Sequence, residues 1–178
     1  MGIPTLISTA TASNAATVSI TSGIDSTYDE YMFVFTDIGP ATDGEHFTFQ
    51  CNAAGAADYN ETITSTYFYA SHNEAGSSQV VEYHASYDQA NGTAFQIIAN
   101  GVGNGADESC AGILHLFAPS STTYTTHFYS TFSKYWSGDY NQVDYIAGYF
   151  NITAAIDEIQ FKMTSGNLDG VIQMYGIA

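Results

Sequence analysis

The side chains best able to do chemistry in this chain are its five histidines and 18 acidic residues. The histidines are His46, His72, His84, His115 and His127. No two of them have the H-x-H or H-E-x-x-H spacing that places ligands around one metal ion. His115 stands between Leu114 and Leu116, so a β-strand would turn it away from both leucines. This pattern favours a half-exposed strand histidine over a metal ligand.

Several acidic residues cluster in segments with the composition of loops. The clusters are Asp25/Asp29/Glu30, Asp37/Asp43/Glu45, Asp107/Glu108 and Asp157/Glu158. Paired carboxylates could serve a glycosidase, and loop carboxylates could bind Ca²⁺, but no cluster matches a calcium-loop pattern. The chain also lacks a G-x-S-x-G nucleophile motif. We therefore predict no enzyme activity and no catalytic, cofactor-binding or metal-ligating residue; a bound divalent cation such as Ca²⁺ is the alternative.

The charge of the chain excludes two classes of partner. Lys134 and Lys162 are its only basic residues apart from histidine, and the formal net charge is −16. Nucleic-acid binding through phosphates needs Lys and Arg to displace counterions, and anionic membrane surfaces attract basic segments. We expect neither nucleic acid nor membrane as a partner. No run of 18 apolar residues and no basic, apolar leader is present in the sequence.

The two cysteines, Cys51 and Cys110, have neither metal-binding nor C-x-x-C spacing. Each lies in or beside a strand-like run. Two buried free thiols are expected, and a disulfide between them is the alternative.

Short apolar and aromatic runs alternate with turn-forming clusters along the chain, at intervals of about 8–15 residues, as in sandwiches and barrels. The predicted strands are 16–21, 30–36, 46–52, 63–69, 80–87, 94–99, 112–117, 124–135, 143–152, 159–164 and 171–175. Only residues 154–158 favour a helical turn. The sequence therefore predicts an all-β, single-domain antiparallel β-sandwich, jelly-roll-like. Residues 1–14 would form an extended N-terminal arm or edge strand, and residues 15–178 the sandwich.

Two local patterns make specific predictions about these strands. The segment 46–52 alternates, so its apolar residues should face inward while Thr48 and Gln50 face outward. The dipeptide Asn91-Gly92 predicts a hairpin between the segments 80–87 and 94–99.

Aromatic residues are in excess of what one core needs: 14 Tyr, 11 Phe and one Trp. Tyr and Trp favour interfaces because they combine a large apolar ring with a polar group. Subunit contact is the favoured use of the surplus, and stacking on a glycan ring is the alternative. The predicted interface residues are Tyr124, Tyr129, Tyr135, Trp136 and Tyr140.

Four segments resemble structural proteins of tailed bacteriophages from marine and freshwater environments. They are Ser22–Phe35 (SGIDSTYDEYMFVF), Asn60–Phe68 (NETITSTYF), Leu114–Thr122 (LHLFAPSST) and Ile172–Ile177 (IQMYGI). The resemblance spans the chain from Leu6 to its C-terminus, and these segments are strands and turns rather than an active site.

The resemblance implies a virion structural protein. A capsid decoration (cement) protein or head-surface knob is the expected role, at the virion surface after assembly in the bacterial cytoplasm. Its partners would be further copies of itself, with a trimer favoured, and the major capsid protein or another virion protein. The alternative is a receptor- or glycan-binding module of a tail fibre or spike.

Overall fold

The computed structural model describes residues 2–178, and these residues form thirteen antiparallel strands. The strands are β1 (Thr5–Ala15), β2 (Val18–Ile20), β3 (Glu30–Pro40), β4 (Glu45–Ala53), β5 (Ile63–Asn73), β6 (Gln79–Tyr83), β7 (Ala90–Gly92), β8 (Gln96–Val102), β9 (Cys110–Phe117), β10 (Thr126–Trp136), β11 (Tyr140–Phe150), β12 (Ile156–Met163) and β13 (Leu168–Ile177). Within the described chain, no helix has the length and hydrophobicity needed to cross a membrane. The predicted all-β, single-domain fold class is confirmed.

The strands form one hydrogen-bonded sheet that folds over into two layers. The first layer has the order β1-β13-β3-β9-β10-β11-β5, and the short β6 and β7 both pair with β5. The second layer has the order β8-β4-β12-β2. The layers connect at one corner, where Trp136 of β10 pairs with Val102 of β8. This arrangement is a jelly-roll-like antiparallel β-sandwich.

Phenylalanine rings from the two layers meet in the core. The ring of Phe35 lies 5.1 Å from those of Phe132 and Phe161 and 5.4 Å from that of Phe47, measured between centroids. Such tilted and edge-to-face pairs add about 0.5–1.5 kcal/mol each beyond the burial of their surface. Because Phe132 points into this core, the neighbouring residues of β10 point away from it, toward the outside of the sandwich.

The strand β4 departs from its predicted alternation. Thr48 and Gln50 are buried, although they were predicted to face outward. Gln50 Nε2 donates hydrogen bonds to the backbone oxygens of Glu61, at 3.0 Å, and Ala94, at 3.2 Å. The segments that precede β5 and β8 therefore cover the second face of β4. This covering depends on residues distant in sequence, so the local pattern does not contain it.

The predicted hairpin at Asn91-Gly92 is wrong. Both residues belong to β7, which pairs with β5 through Ile63↔Gly92. The flanking strands β6 and β8 pair with β5 and β4, which lie in different layers. Asn91 does adopt the positive φ, 57°, that favours this dipeptide in tight turns. The helical turn favoured at residues 154–158 is also absent, because β12 begins at Ile156.

The N-terminal segment forms β1, which pairs with β13 of its own chain from Thr5↔Gly176 to Ala15↔Leu168. It is the last strand of the sheet on that side.

The cysteines, Cys51 and Cys110, are both free and buried, as predicted. Burial raises the pKa of the Cys110 thiol to about 12, so this thiol stays protonated at neutral pH.

Candidate functional site

A buried ion pair links β10 to β11. Lys134 Nζ donates hydrogen bonds to Asp144 Oδ2 and to Asn100 Oδ1. Gln142 Nε2 donates to Asp144 Oδ1 and Asn100 Oδ1, both at 2.7 Å. Burial lowers the pKa of Lys134 to about 8, although the Asp144 carboxylate acts in the opposite direction. The ion pair orders the polar side of this corner, and one of the two lysines is thereby removed from the surface.

The outside of the first layer carries exposed aromatic and aliphatic side chains on four adjacent strands. We call this surface the outer aromatic face and define it by Phe68 of β5, Tyr145 of β11, Tyr129 of β10, and Ile113 and His115 of β9. Strand pairing aligns them, since Tyr145 is opposite both Phe68 and Thr131, and Tyr129 is opposite His115. Phe68 and Tyr129 are each 44% exposed. An apolar surface that continues over several strands is typical of an interaction site.

The rings of this face stack in two groups. Phe68 and Tyr145 lie nearly parallel, at 13°, with centroids 5.0 Å apart. His115 and Tyr129 lie at 10° with centroids 4.6 Å apart. Between the two groups, the small residue Ala147 leaves a shallow depression of about 320 Å³. Rings fixed against one another lose little further freedom on docking, which favours their use in a contact.

The outer aromatic face is free of carboxylates and lysines on these four strands. Their outward residues are Thr64, Thr66, Phe68, Ala70, His72, Ala111, Ile113, His115, Phe117, His127, Tyr129, Thr131, Ser133, Tyr135, Asn141, Val143, Tyr145, Ala147 and Tyr149. Carboxylates contact these outward residues at their border: Glu30 Oε1 of β3 bonds His115 Nδ1, and Asp139 Oδ1 accepts a hydrogen bond from the Tyr135 hydroxyl. In a chain of net charge −16, a second acidic molecule meets less repulsion on these strand residues than at the acidic loops.

The five predicted interface residues do not lie on one surface. Tyr129 lies in the outer aromatic face. Tyr135 points outward near the end of the same strand, where its hydroxyl donates to Asp139 Oδ1 at 3.1 Å. Tyr124 is 77% exposed in the loop before β10. Trp136 and Tyr140 are on the opposite, inward side of β10 and β11.

Trp136 and Tyr140 line a cavity of about 310 Å³ at the corner of the sandwich. Their rings meet edge to face, with centroids 5.4 Å apart and planes at 82°. Asn100 and Gln142, which are hydrogen-bonded to the buried Lys134–Asp144 ion pair, also line this cavity. The sequence pattern did not indicate that these two amides accompany the aromatic pair.

The acidic clusters and histidines do not converge on a metal site. No group of three or more His, Cys, Asp or Glu side chains within residues 2–178 is arranged to hold a metal ion. Asp37, Asp107, Glu108 and Asp169 border one open depression, where Glu108 Oε2 accepts a hydrogen bond from the backbone of Gly105 at 2.7 Å.

No family model and no curated protein matches this chain. One solved structure, titled "Structure of infectious bursal disease virus Gx strain", overlaps 98% of this chain at 11% sequence identity, with a TM-score of 0.19. The present chain covers 41% of the length of that viral chain. A TM-score this low supports no inference about fold or function.

Proposed function

We propose that this protein is a structural component of a tailed-bacteriophage virion, most specifically a capsid decoration protein. In this role it self-associates through the outer aromatic face and stabilises the capsid by contact rather than by catalysis. Two features of one surface support the proposal. The outer aromatic face has exposed, stacked rings, and the outward residues of β5, β9, β10 and β11 include no Asp, Glu, Lys or Arg.

A second copy of the same chain is the occupant that this face fits best. Each molecule carries a net charge of −16, so two copies repel wherever their acidic surfaces approach. Contact through the outer aromatic face brings together strand residues that carry no carboxylate, with Glu30 at the border, and it covers apolar rings that water would otherwise contact. Closed rotational symmetry is the usual form of such self-association, and we propose a trimer.

The virion context comes from the four segments that resemble phage structural proteins. Two of these segments, Asn60–Phe68 and Leu114–Thr122, supply Phe68 and His115 to the outer aromatic face. The major capsid protein, or another virion protein, would then contact the trimer at the virion surface after assembly in the bacterial cytoplasm.

Electron microscopy of the parent particle tests this function. We expect density for the sandwich on the capsid surface, with Phe68 and Tyr145 buried against another protein chain. Absence of the protein from purified virions, or its presence at the tail alone, would contradict the proposed decoration role.

A further inference from the structure

The cavity lined by Trp136 and Tyr140 has the composition of a ligand site. It lies between the inward side of β5 and β6 and the adjoining ends of β8, β10 and β11, and it measures about 310 Å³. That volume is at the lower end of the range of small-molecule sites. Because its walls use the inward side of β10 and β11, the cavity is separate from the outer aromatic face on the outward side of the same strands.

The aromatic wall is held in place before any ligand arrives. The indole of Trp136 lies directly over the backbone of Gly101, where a Cβ atom would come within 2.3 Å of Trp136 Nε1. Tyr140 supports the indole edge to face. A second aromatic group of the lining is Tyr87, whose ring stacks on His84 with centroids 4.0 Å apart. Fixed ring faces of this kind bind the C–H face of a sugar or another flat apolar surface at low entropic cost.

Two buried amides provide the polar part of the cavity. Asn100 is 7% exposed and Gln142 is 4% exposed. Asn100 Oδ1 already accepts hydrogen bonds from Lys134 and Gln142, which fixes the orientation of both amides. Among the described residues, no group accepts a hydrogen bond from Asn100 Nδ2 and none donates one to Gln142 Oε1. These two lining residues therefore retain one unused donor and one unused acceptor, on amides that are themselves hydrogen-bonded to each other.

A vicinal diol matches this pair of groups, because one hydroxyl can accept from Asn100 Nδ2 while its neighbour donates to Gln142 Oε1. The charges select a neutral ligand. Among the described residues no Lys or Arg lines the cavity, and Lys134 is buried and bonded to Asp144 and Asn100. Glu82 accepts a hydrogen bond from Tyr69, a lining residue, at 2.9 Å, which adds negative charge nearby.

We propose that this cavity binds one neutral pyranose ring of a glycan. The sugar packs in the corner between Trp136 and Tyr140, with its C–H face on one of the two rings, and its vicinal hydroxyls bond Asn100 and Gln142. This activity goes beyond the structural role proposed above and does not depend on it, because the binding site belongs to a single chain.

The single tryptophan of the chain makes the proposal directly testable. The intrinsic fluorescence of the purified protein is titrated with glucose, galactose, mannose, rhamnose and N-acetylglucosamine, and in parallel with glucuronic acid and sialic acid. We expect at least one neutral sugar to change the Trp136 emission in a saturable way at millimolar concentration, and the two acidic sugars to have no such effect. Emission that does not change with any neutral sugar, or that saturates equally with the acidic sugars, overturns the proposal.

A matched pair of variants separates the cavity from the rest of the surface. Tyr140→Ala should weaken binding of the same sugar about tenfold, the effect of losing one aromatic contact, whereas Tyr129→Ala on the outer aromatic face should leave it unchanged. If Tyr140→Ala does not fold, the test uses the wild-type protein instead. The side-chain amide resonances of Asn100 and Gln142 are then followed by NMR during titration with the sugar. These resonances should shift with the dissociation constant that fluorescence gives. Unshifted amides, or equal binding by both variants, would place the sugar elsewhere and contradict the site.

Discussion

Lys134 Nζ donates a hydrogen bond to Asp144 Oδ2 between two adjacent strands, and both side chains have no exposed surface. Replacing only one of the two residues strongly destabilises the fold, because the other is left as an uncompensated buried charge. Lys134→Met should therefore lower the free energy of unfolding by about 3–5 kcal/mol. Urea unfolding followed by far-ultraviolet circular dichroism measures this loss.

The other lysine provides the matched control for this substitution. Lys162 Nζ lies 4.0 Å from the centroid of the Phe95 ring at a partly exposed position, so Lys162→Met should cost about 1 kcal/mol or less. The double variant Lys134→Met/Asp144→Leu removes both charges and should be more stable than Lys134→Met alone. Equal unfolding midpoints for Lys134→Met and the wild type would show that the buried ion pair does not stabilise the fold.

Gly101 positions Trp136, and its replacement should disturb both the backbone and the indole. The φ of Gly101 is +57°, and an added Cβ would meet Trp136 Nε1. Gly55, with φ +85° and open space within 4 Å of where a Cβ would lie, isolates the backbone effect. Gly55→Ala should cost about 1–2 kcal/mol for the left-handed conformation, and Gly101→Ala about 1–3 kcal/mol more for the steric conflict. Tryptophan emission should shift in Gly101→Ala only; an unchanged spectrum would mean that the indole does not lie on this glycine.

Alkaline pH should destabilise the protein through its buried thiols and phenols. Burial raises the pKa of Cys51 above its ordinary value, that of Cys110 to about 12 and that of Tyr59 to about 12; it also raises the pKa of Tyr67. The folded chain thus keeps protons that the unfolded chain releases, and the free energy of unfolding falls as pH rises above about 9. The pKa of Lys134 is lowered to about 8, so this residue alone would make the free energy of unfolding rise between pH 8 and 10.5. One lysine acts here against two thiols and two phenols.

The measurement for this prediction is urea unfolding at a series of alkaline pH values, with tyrosinate absorbance recorded in parallel. The absorbance of Tyr67 should appear only with unfolding, so Tyr67→Phe should remove that component. Stability that stays constant from pH 8 to 11 would contradict the assigned burial of these groups.

The sequence was sufficient for the fold class because its β-branched and aromatic runs are local signals. It was insufficient for the surfaces, and β11 shows why. On this strand Gln142 and Asp144 face inward while Tyr145 faces out, the reverse of the usual polar-out pattern. The inward position of Asp144 is stable because Lys134 on the neighbouring strand provides the opposite charge. This pairing depends on tertiary structure, so the local sequence does not reveal it. Thus Phe68 and Tyr145 were not predicted as interface residues.

Salt should strengthen self-association through the outer aromatic face. Molecules of charge −16 repel one another over about 30 Å at 0.01 M salt and over about 10 Å at 0.1 M, while apolar contacts are not screened. Sedimentation equilibrium in increasing sodium chloride should therefore give a falling dissociation constant. Calcium chloride at matched ionic strength should have the same effect if screening is the cause. Weakening by salt would instead indicate an interface held by opposite charges.

Self-association through the outer aromatic face is tested most directly by the molecular mass in solution of the wild-type protein and two variants of equal charge. Light scattering coupled to size exclusion should give an oligomeric mass, with a trimer favoured, for the wild type and for Tyr124→Glu, which lies outside the outer aromatic face. Tyr145→Glu should give the mass of a single chain, because it places a carboxylate at the centre of the contact. A monomeric wild type, or an oligomer that Tyr145→Glu leaves intact, would contradict the claim that this face joins copies of the chain.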